Sequence, residues 1–354
     1  MTFVPRASVG FVSDLELGLD TFGDISADSS GEPLPAPVVL RQVVEQAVRA
    51  DEVGLAFIGL GEHHRADFAI TAPDIVLATV AGRTERIRLG SAVTVLSSDD
   101  PIRVYERFST LDALSNGRAE VILGRGSFIE SFGLFGLDLD DYEVLFDEKL
   151  DLFARLLEEK PVTWSGTIRP PLTDQRVYPP IESGRLRTWI GVGGTPASVE
   201  RAVRYRIPMM LAIIGGPPLQ YVPYADHYRR RLAEEGVGPL PVGMHSPGYV
   251  AESDEQAREE LHDHWMAQRA QIGRERGWPP PSRNEFAQAA GPDGALYVGS
   301  PETVARKIAR NAAALGVSRF DLKYANGAMR HDQLLRCIEL YGTQVAPLVY
   351  DMLA

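Results

Sequence analysis

The chain has a single cysteine, Cys337, among 354 residues. That excludes an internal disulfide and any metal site built from several thiolates. Its apolar helical surroundings point to a buried structural thiol. Long apolar runs are missing as well. The longest, near Met209–Ile214, falls far short of the ~18–20 residues that cross a bilayer, so no membrane partner is expected. Residues 1–12 carry neither the basic start nor the apolar run of a secretory signal, and a cytoplasmic protein is expected. Lysine is scarce, with only Lys149, Lys160, Lys307 and Lys323, a bias that reads as genomic base composition rather than function. The net charge of −12 argues against a broad electrostatic grip on nucleic acid or anionic lipid. No cluster of His, Cys and acidic residues stands at ligand spacing, so no metal is expected.

With 44% apolar and 24% charged residues, the chain has ample core for one large barrel or two ordinary domains. The densest signal is LGSAVTVLSSDDPIRVYERFSTLDALSNGRAEVILGRGSF, residues 89–128. Val93, Val95 and Leu96 form a short apolar run with two β-branched members. Asp100-Pro101 is an N-cap followed by proline at the first helical position. Ile102, Tyr105, Phe108, Leu111 and Leu114 follow at helical spacing. Asn116-Gly117 stops that helix, and Ala119 to Leu123 begins a second strand. Strand, helix and strand make a βαβ unit, which requires a parallel sheet.

The alternation continues from end to end. Strands are expected at Ser8–Val12, Ala56–Leu60, Leu89–Val95, Ala119–Leu123, Thr188–Val192, Met209–Ile214, Val242–Val250 and Arg319–Tyr324. Helices are expected between and after them. Eight βα units make an α/β fold of the (β/α)8 TIM-barrel type, with a doubly wound open sheet as the alternative. One domain spanning 1–354 is expected, because no low-complexity linker divides the chain. Ser13–Ala36, Pro161–Arg187 and Gln271–Ala295 read as long insertion loops able to close over the barrel mouth.

Three groups at strand ends could carry chemistry. Gly61-Glu62-His63-His64-Arg65 directly follows the second expected strand, Ala56–Leu60. Imidazole titrates near neutrality, so His63 and His64 are candidates for acid–base work. Adjacent side chains diverge, so only one is expected to face a pocket. A structural histidine beside a surface one is the alternative. Gly124-Arg125-Gly126-Ser127 sets an arginine between glycines, a pattern suited to gripping phosphate but also common in turns. Gly191-Val192-Gly193-Gly194-Thr195-Pro196-Ala197-Ser198 runs from strand through paired glycines into a helix start. Free N–H groups and the helix dipole favour an anion there, although the glycines could simply serve a tight turn. Two anion sites on one rim, without a dinucleotide fingerprint or a Walker sequence, suggest a mononucleotide such as FMN.

These residues, together with FGLDLDDYEVLFDEKLDLF (135–153), WIGVGGTPASVERA (189–202) and YVGSPETVARKI (297–308), resemble the bacterial-luciferase-like flavin-dependent oxidoreductases and monooxygenases. The segments occur in that family's order over most of the chain. The resemblance implies a (β/α)8 barrel that dimerises or forms larger homo-oligomers. It implies that Arg125 grips a flavin phosphate, with Gly126 and Ser127 approaching through backbone and Gly193, Gly194, Thr195 and Ser198 adding contacts. Ala92-Val93 falls where the family holds a non-prolyl cis peptide against the flavin ring. His63 falls at the catalytic histidine. Two departures stand out. Gly124 replaces the reactive cysteine of true luciferases, which argues against light emission from an aldehyde. Asp99-Asp100 stands where luciferases have a histidine before the proline.

The function implied is an FMN-using monooxygenase of a small organic substrate, with reduced flavin supplied by a separate reductase. A deazaflavin (F420)-dependent hydride transfer on the same barrel is an alternative. A non-catalytic flavin-binding partner subunit is another.

Overall fold

The computed structural model describes residues 15–126 and 128–354. The expected strand Ser8–Val12 and the expected contact Ser127 lie outside them. Among the described residues run eleven strands: β1 (Glu16–Thr21), β2 (Phe57–Leu60), β3 (Arg88–Val95), β4 (Ala119–Gly124), β5 (Val162–Trp164), β6 (Leu172–Gln175), β7 (Arg187–Val192), β8 (Met209–Ala212), β9 (Val242–Val250), β10 (Tyr297–Gly299) and β11 (Arg319–Lys323). Eight of them close a parallel barrel in the order β1-β2-β3-β4-β7-β8-β9-β11, with β11 pairing back onto β1. Closure excludes the open sheet.

Helices fill the crossovers: α1 (Ala36–Glu52), α2 (Pro73–Ala81), α3 (Pro101–Leu114), α4 (Glu130–Phe135), α5 (Tyr142–Leu156), α6 (Pro196–Tyr205), α7 (Val222–Glu234), α8 (Asp254–Arg276), α9 (Arg283–Ala290), α10 (Pro301–Leu315), α11 (His331–Leu340) and α12 (Ala346–Leu353). The start of α3 shows how local sequence sets a boundary. The Asp100 carboxylate accepts from the N–H of Ile102 at 2.9 Å and of Arg103 at 3.3 Å, ahead of Pro101. Such a cap stabilises a helix by about 1 kcal/mol.

All three expected loops contain regular structure. β1 lies inside Ser13–Ala36, where Glu16 and Asp20 made the segment look solvated. Arg187 pairs with Glu16 and His245 with Asp20, so both charges are neutralised within the fold. Pro161–Arg187 contains the antiparallel hairpin β5–β6. Gln271–Ala295 contains the last turns of α8 and all of α9. Gly277, at φ 68°, ends α8 in the left-handed conformation that glycine adopts without strain.

The main core lies between barrel and helices, while a smaller cluster of Phe57, Ile122, Trp189 and Met210 plugs the barrel. A Cβ at Gly59 or Gly90 would come within 2.7 Å of the Phe57 ring, so both strands must carry glycine beside it. The Arg319 guanidinium stacks 3.5 Å from the centre of that ring. It is fully buried and bonded to both Asp321 oxygens and to Glu120. An arginine so deep persists because paired carboxylates satisfy it.

Candidate active site

The carboxyl ends of the barrel strands open onto one cavity of about 270 Å³. His63, Ala92, Val93, Arg125, Gly126, Gly193 and Ser198 all border it. A larger hollow of about 770 Å³ lies against α2 and α3, with Asp74, Arg107 and Tyr178 on its walls.

One wall of the cavity is built on an irregular β3. Its register with β4 shifts between Ala92 and Thr94, and the Ala92-Val93 peptide is cis, as the resemblance implies. Val93 lies against Gly124 on β4. A Cβ at position 124 would stand 2.7 Å from Val93 Cγ2. Real Cβ contacts essentially never come so close, so this wall is fitted to a glycine at position 124.

The two histidines part as expected. His63 borders the cavity with its ring wedged among Phe22, Phe68 and Phe128, at centroid distances of 4.7, 4.6 and 5.0 Å. Its Nδ1 lies 3.4 Å from Glu130 Oε1 on α4. Burial works to raise the Glu130 carboxyl, but the His63 contact and further hydrogen bonds hold it below the ordinary value. His64 turns away from the cavity, with Nε2 2.9 Å from Glu62 Oε1 and its ring against Phe135. Glu62 itself borders the cavity, and burial raises its carboxyl despite the pull of His64. Position alone favours His63 for contact with a ligand.

The rim beside β4 and β7 carries arginines paired with carboxylates. The Arg125 guanidinium lies 5.1 Å over the Tyr142 ring and pairs with Glu143. Glu143 is shared with Arg201, which also bonds Asp147 at 2.5 Å. Arg201 follows Ser198 by three residues on α6, so both lie on one helix face. It was present in the WIGVGGTPASVERA motif, and that spacing could have singled it out. Gly194 and Thr195, expected to contact the same ligand, do not border the cavity. Gly194 has φ 96° and sits against Tyr221, while the Thr195 hydroxyl caps α6 by accepting from the Ser198 N–H at 3.3 Å.

The floor of the cavity carries residues that sequence reasoning did not single out. Asp20 on β1, His245 on β9 and Asp321 on β11 all border it. His245 Nδ1 lies 2.5 Å from Asp20 Oδ2. Burial opposes a charge on His245, but Asp20 outweighs it and raises the imidazole above its ordinary value. Asp321 is pushed up to about 6 by burial, with Arg319 pulling the other way. A lone histidine in HSPGYV and an acid in ELGLDT carry no motif. Only the strand register brings them together.

Among the described residues no group of three His, Cys, Asp or Glu could hold a metal ion, and no helix is long and apolar enough to cross a membrane.

Comparison with known proteins gives a consistent answer. The 4-hydroxyprotoasukamycin monooxygenase of Streptomyces nodosus subsp. asukaensis is 31% identical over 256 residues, covering 70% of this chain and 69% of that protein. Two uncharacterized proteins of Sinorhizobium fredii are matched over 47% and 56% of their own length. Among solved structures, the monooxygenase RslO1 from Streptomyces bottropensis superposes with a TM-score of 0.79 at 24% identity, covering 94% of this chain and 99% of that one. The oxygenating constituent of 3,6-diketocamphane monooxygenase from Pseudomonas putida, in complex with FMN, gives 0.74 at 18%, covering 94% and 98%. Residues 16–319 match the luciferase-like monooxygenase family model, and the chain belongs to that family.

Proposed function

We propose that the chain uses reduced FMN, supplied by a separate reductase, to monooxygenate a small organic substrate in the cytoplasm, with residues 1–354 acting as one barrel domain. The observation that carries this reading is the convergence, in one cavity, of the Arg125 rim, a side-chain-poor wall at Gly124 and a wedged histidine. The residues fit the cofactor. Arg125 and the Gly193 backbone offer the donors a phosphate needs, and the Ser198 hydroxyl, which here donates to the Thr195 carbonyl at 3.0 Å, would turn to join them. Gly124 and the Ala92-Val93 turn form a flat, side-chain-poor wall for a ring system. Val95, Ile122, Met210 and Ala212 keep the slot apolar. The FMN complex of the diketocamphane enzyme, on the same fold, supports the choice of cofactor.

Bound there, reduced flavin supplies the electrons that activate oxygen. The chain orients it and manages protons. With Glu130 held as a carboxylate, His63 donates its Nδ1–H to Oε1 and leaves the Nε2 lone pair free. That nitrogen takes a proton from a bound group and returns it, and Glu130 stabilises the imidazolium formed between. Phe22, Phe68 and Phe128 fix the ring and exclude water from it.

Exposed Ile75, Leu114 and Tyr178, around the hollow on α2 and α3, support a homodimer as part of this reading. Light scattering on the purified protein reads its mass. The enzymatic claim is tested with ¹⁸O₂, FMN, NADH and a heterologous flavin reductase over a panel of small alkenes and ketones. Protein-dependent incorporation of one labelled oxygen into product is expected. Tight F420 binding without FMN binding would favour the deazaflavin alternative, and flavin binding without product on any panel member would favour a non-catalytic partner.

A further inference from the structure

Strand register sends a second imidazole into the barrel, besides that of His63. On β9, a Cβ at Gly243 would stand 2.6 Å from Met210 and 3.5 Å from Trp189, so position 243 faces the plug. Side chains alternate along a strand, so His245 faces the same interior, one layer nearer the mouth. Its register partners, Ala212 on β8 and Asp321 on β11, border the cavity with it. The two ring nitrogens have different fates. Nδ1, nearer the backbone, donates to Asp20 Oδ2 at 2.5 Å. Nε2, at the tip of the ring, has no hydrogen-bond partner among the described residues. The ring is not sealed in. Its side chain is 12% exposed, against 1% for Asp20, and the cavity is the space it borders. His63 is built alike, with Nδ1 3.4 Å from Glu130 and its ring on the same cavity. A carboxylate on Nδ1 fixes the ring and leaves Nε2 as the working atom.

We propose that His245 is a specificity-determining contact residue, its Nε2 hydrogen-bonded to an oxygen or nitrogen at the inner end of the molecule held in the cavity. Asp20 is the positioning residue that aims it. The nearby walls, Ala92, Ile122, Met210 and Ala212, offer no N–H or O–H, so His245 distinguishes a polar inner end from a hydrocarbon one. This inference rests on the cavity being the ligand site of the function proposed above. Two sources share the required chemistry: a carbonyl or hydroxyl of the substrate, and the polar edge of a flavin ring.

Carbethoxylation reads Nε2 without a variant. The native protein is treated with diethyl pyrocarbonate, free or with cyclohexanone or FMN at ten times its dissociation constant, and the peptide carrying His245 is weighed by mass spectrometry. His245 is expected to react in the free protein and to be protected about tenfold by a molecule that covers it. His245→Asn separates contact from cover, because its amide keeps an N–H for Asp20 where Nδ1 stood and removes Nε2. By NMR titration the variant should bind cyclohexanone about 2- to 12-fold more weakly, the worth of one hydrogen bond, and methylcyclohexane unchanged. Protection by FMN, with the variant weakening FMN and riboflavin alike, assigns the contact to the flavin ring. FMN that binds and leaves His245 reactive, while cyclohexanone still protects it, assigns the contact to substrate. Two results overturn the inference: a His245 that reacts only after unfolding in urea, or cyclohexanone and FMN affinities that are unchanged in the variant. The first needs no folded variant. Failure of FMN to bind would refute the flavin reading alone, because the cyclohexanone arms still read His245.

Discussion

Replacing Arg125 by alanine is expected to weaken FMN binding about 5- to 60-fold while leaving riboflavin unaffected. The figure follows from two opposing contributions. A hydrogen bond to a charged partner is worth about 1.5–3 kcal/mol. Against it stands the ion pair between Arg125 and Glu143, which the phosphate must displace. Glu143 is 60% exposed on its side chain, and such surface pairs are worth only about 0–1 kcal/mol. Taking the surface pair at its middle value of about 0.5 kcal/mol leaves about 1–2.5 kcal/mol, which sets the expected change in dissociation constant. The same reasoning predicts that Glu143→Gln tightens FMN binding by up to about fivefold, since it removes the competing carboxylate from between Arg125 and Arg201. Fluorescence titration of FMN and riboflavin into the three proteins measures both effects. Unchanged FMN affinity in Arg125→Ala, or equal losses for FMN and riboflavin, would remove Arg125 from phosphate recognition.

His63→Ala should spare FMN affinity and lower turnover by about 10²–10⁴, whereas His64→Ala, outside the cavity, should keep turnover. The opposite pattern in coupled oxygen-uptake assays, with both folds intact, would transfer the role to His64. Gly124→Cys forces its Cβ towards Val93, 2.7 Å away, and should cost about 1–3 kcal/mol of stability, read as a lowered urea midpoint; an unchanged midpoint would show that the wall yields freely. His245 has a folded-state value raised above the ordinary imidazole, so its stabilising contribution is complete below about pH 6.5 and is lost as pH rises through the folded value. In His245→Gln that decline should vanish from a pH series of urea midpoints, and its persistence would assign the decline to another group.

The legible parts of the fold were those with local causes. Asp100-Pro101 set the start of α3, and Ser300-Pro301 with Gly316 bounded α10, because caps and breakers act within a few residues. Val242–Val250 was readable because its strand is long and fully formed. What escaped was non-local. β1 hid behind Glu16 and Asp20, whose partners Arg187 and His245 lie 171 and 225 residues away. α8 extended to Arg276 although only Ala257, Leu261 and Gly273 are buried on it, so it offered little apolar period to follow. In the site, motif residues carried Arg125, Ser198 and His63 into one cavity. Glu130, on the six-residue α4, and the Asp20–His245 floor had no local signature and depend on tertiary placement.

The central claim is that this cavity is a flavin site, and a crystal structure of the protein with FMN tests it most directly. The account predicts the phosphate between Arg125 and Ser198, with Glu143 released from Arg125, and the ring against the Ala92-Val93 wall within reach of His63. FMN bound elsewhere, or a phosphate that leaves the Arg125–Glu143 pair intact, would contradict it.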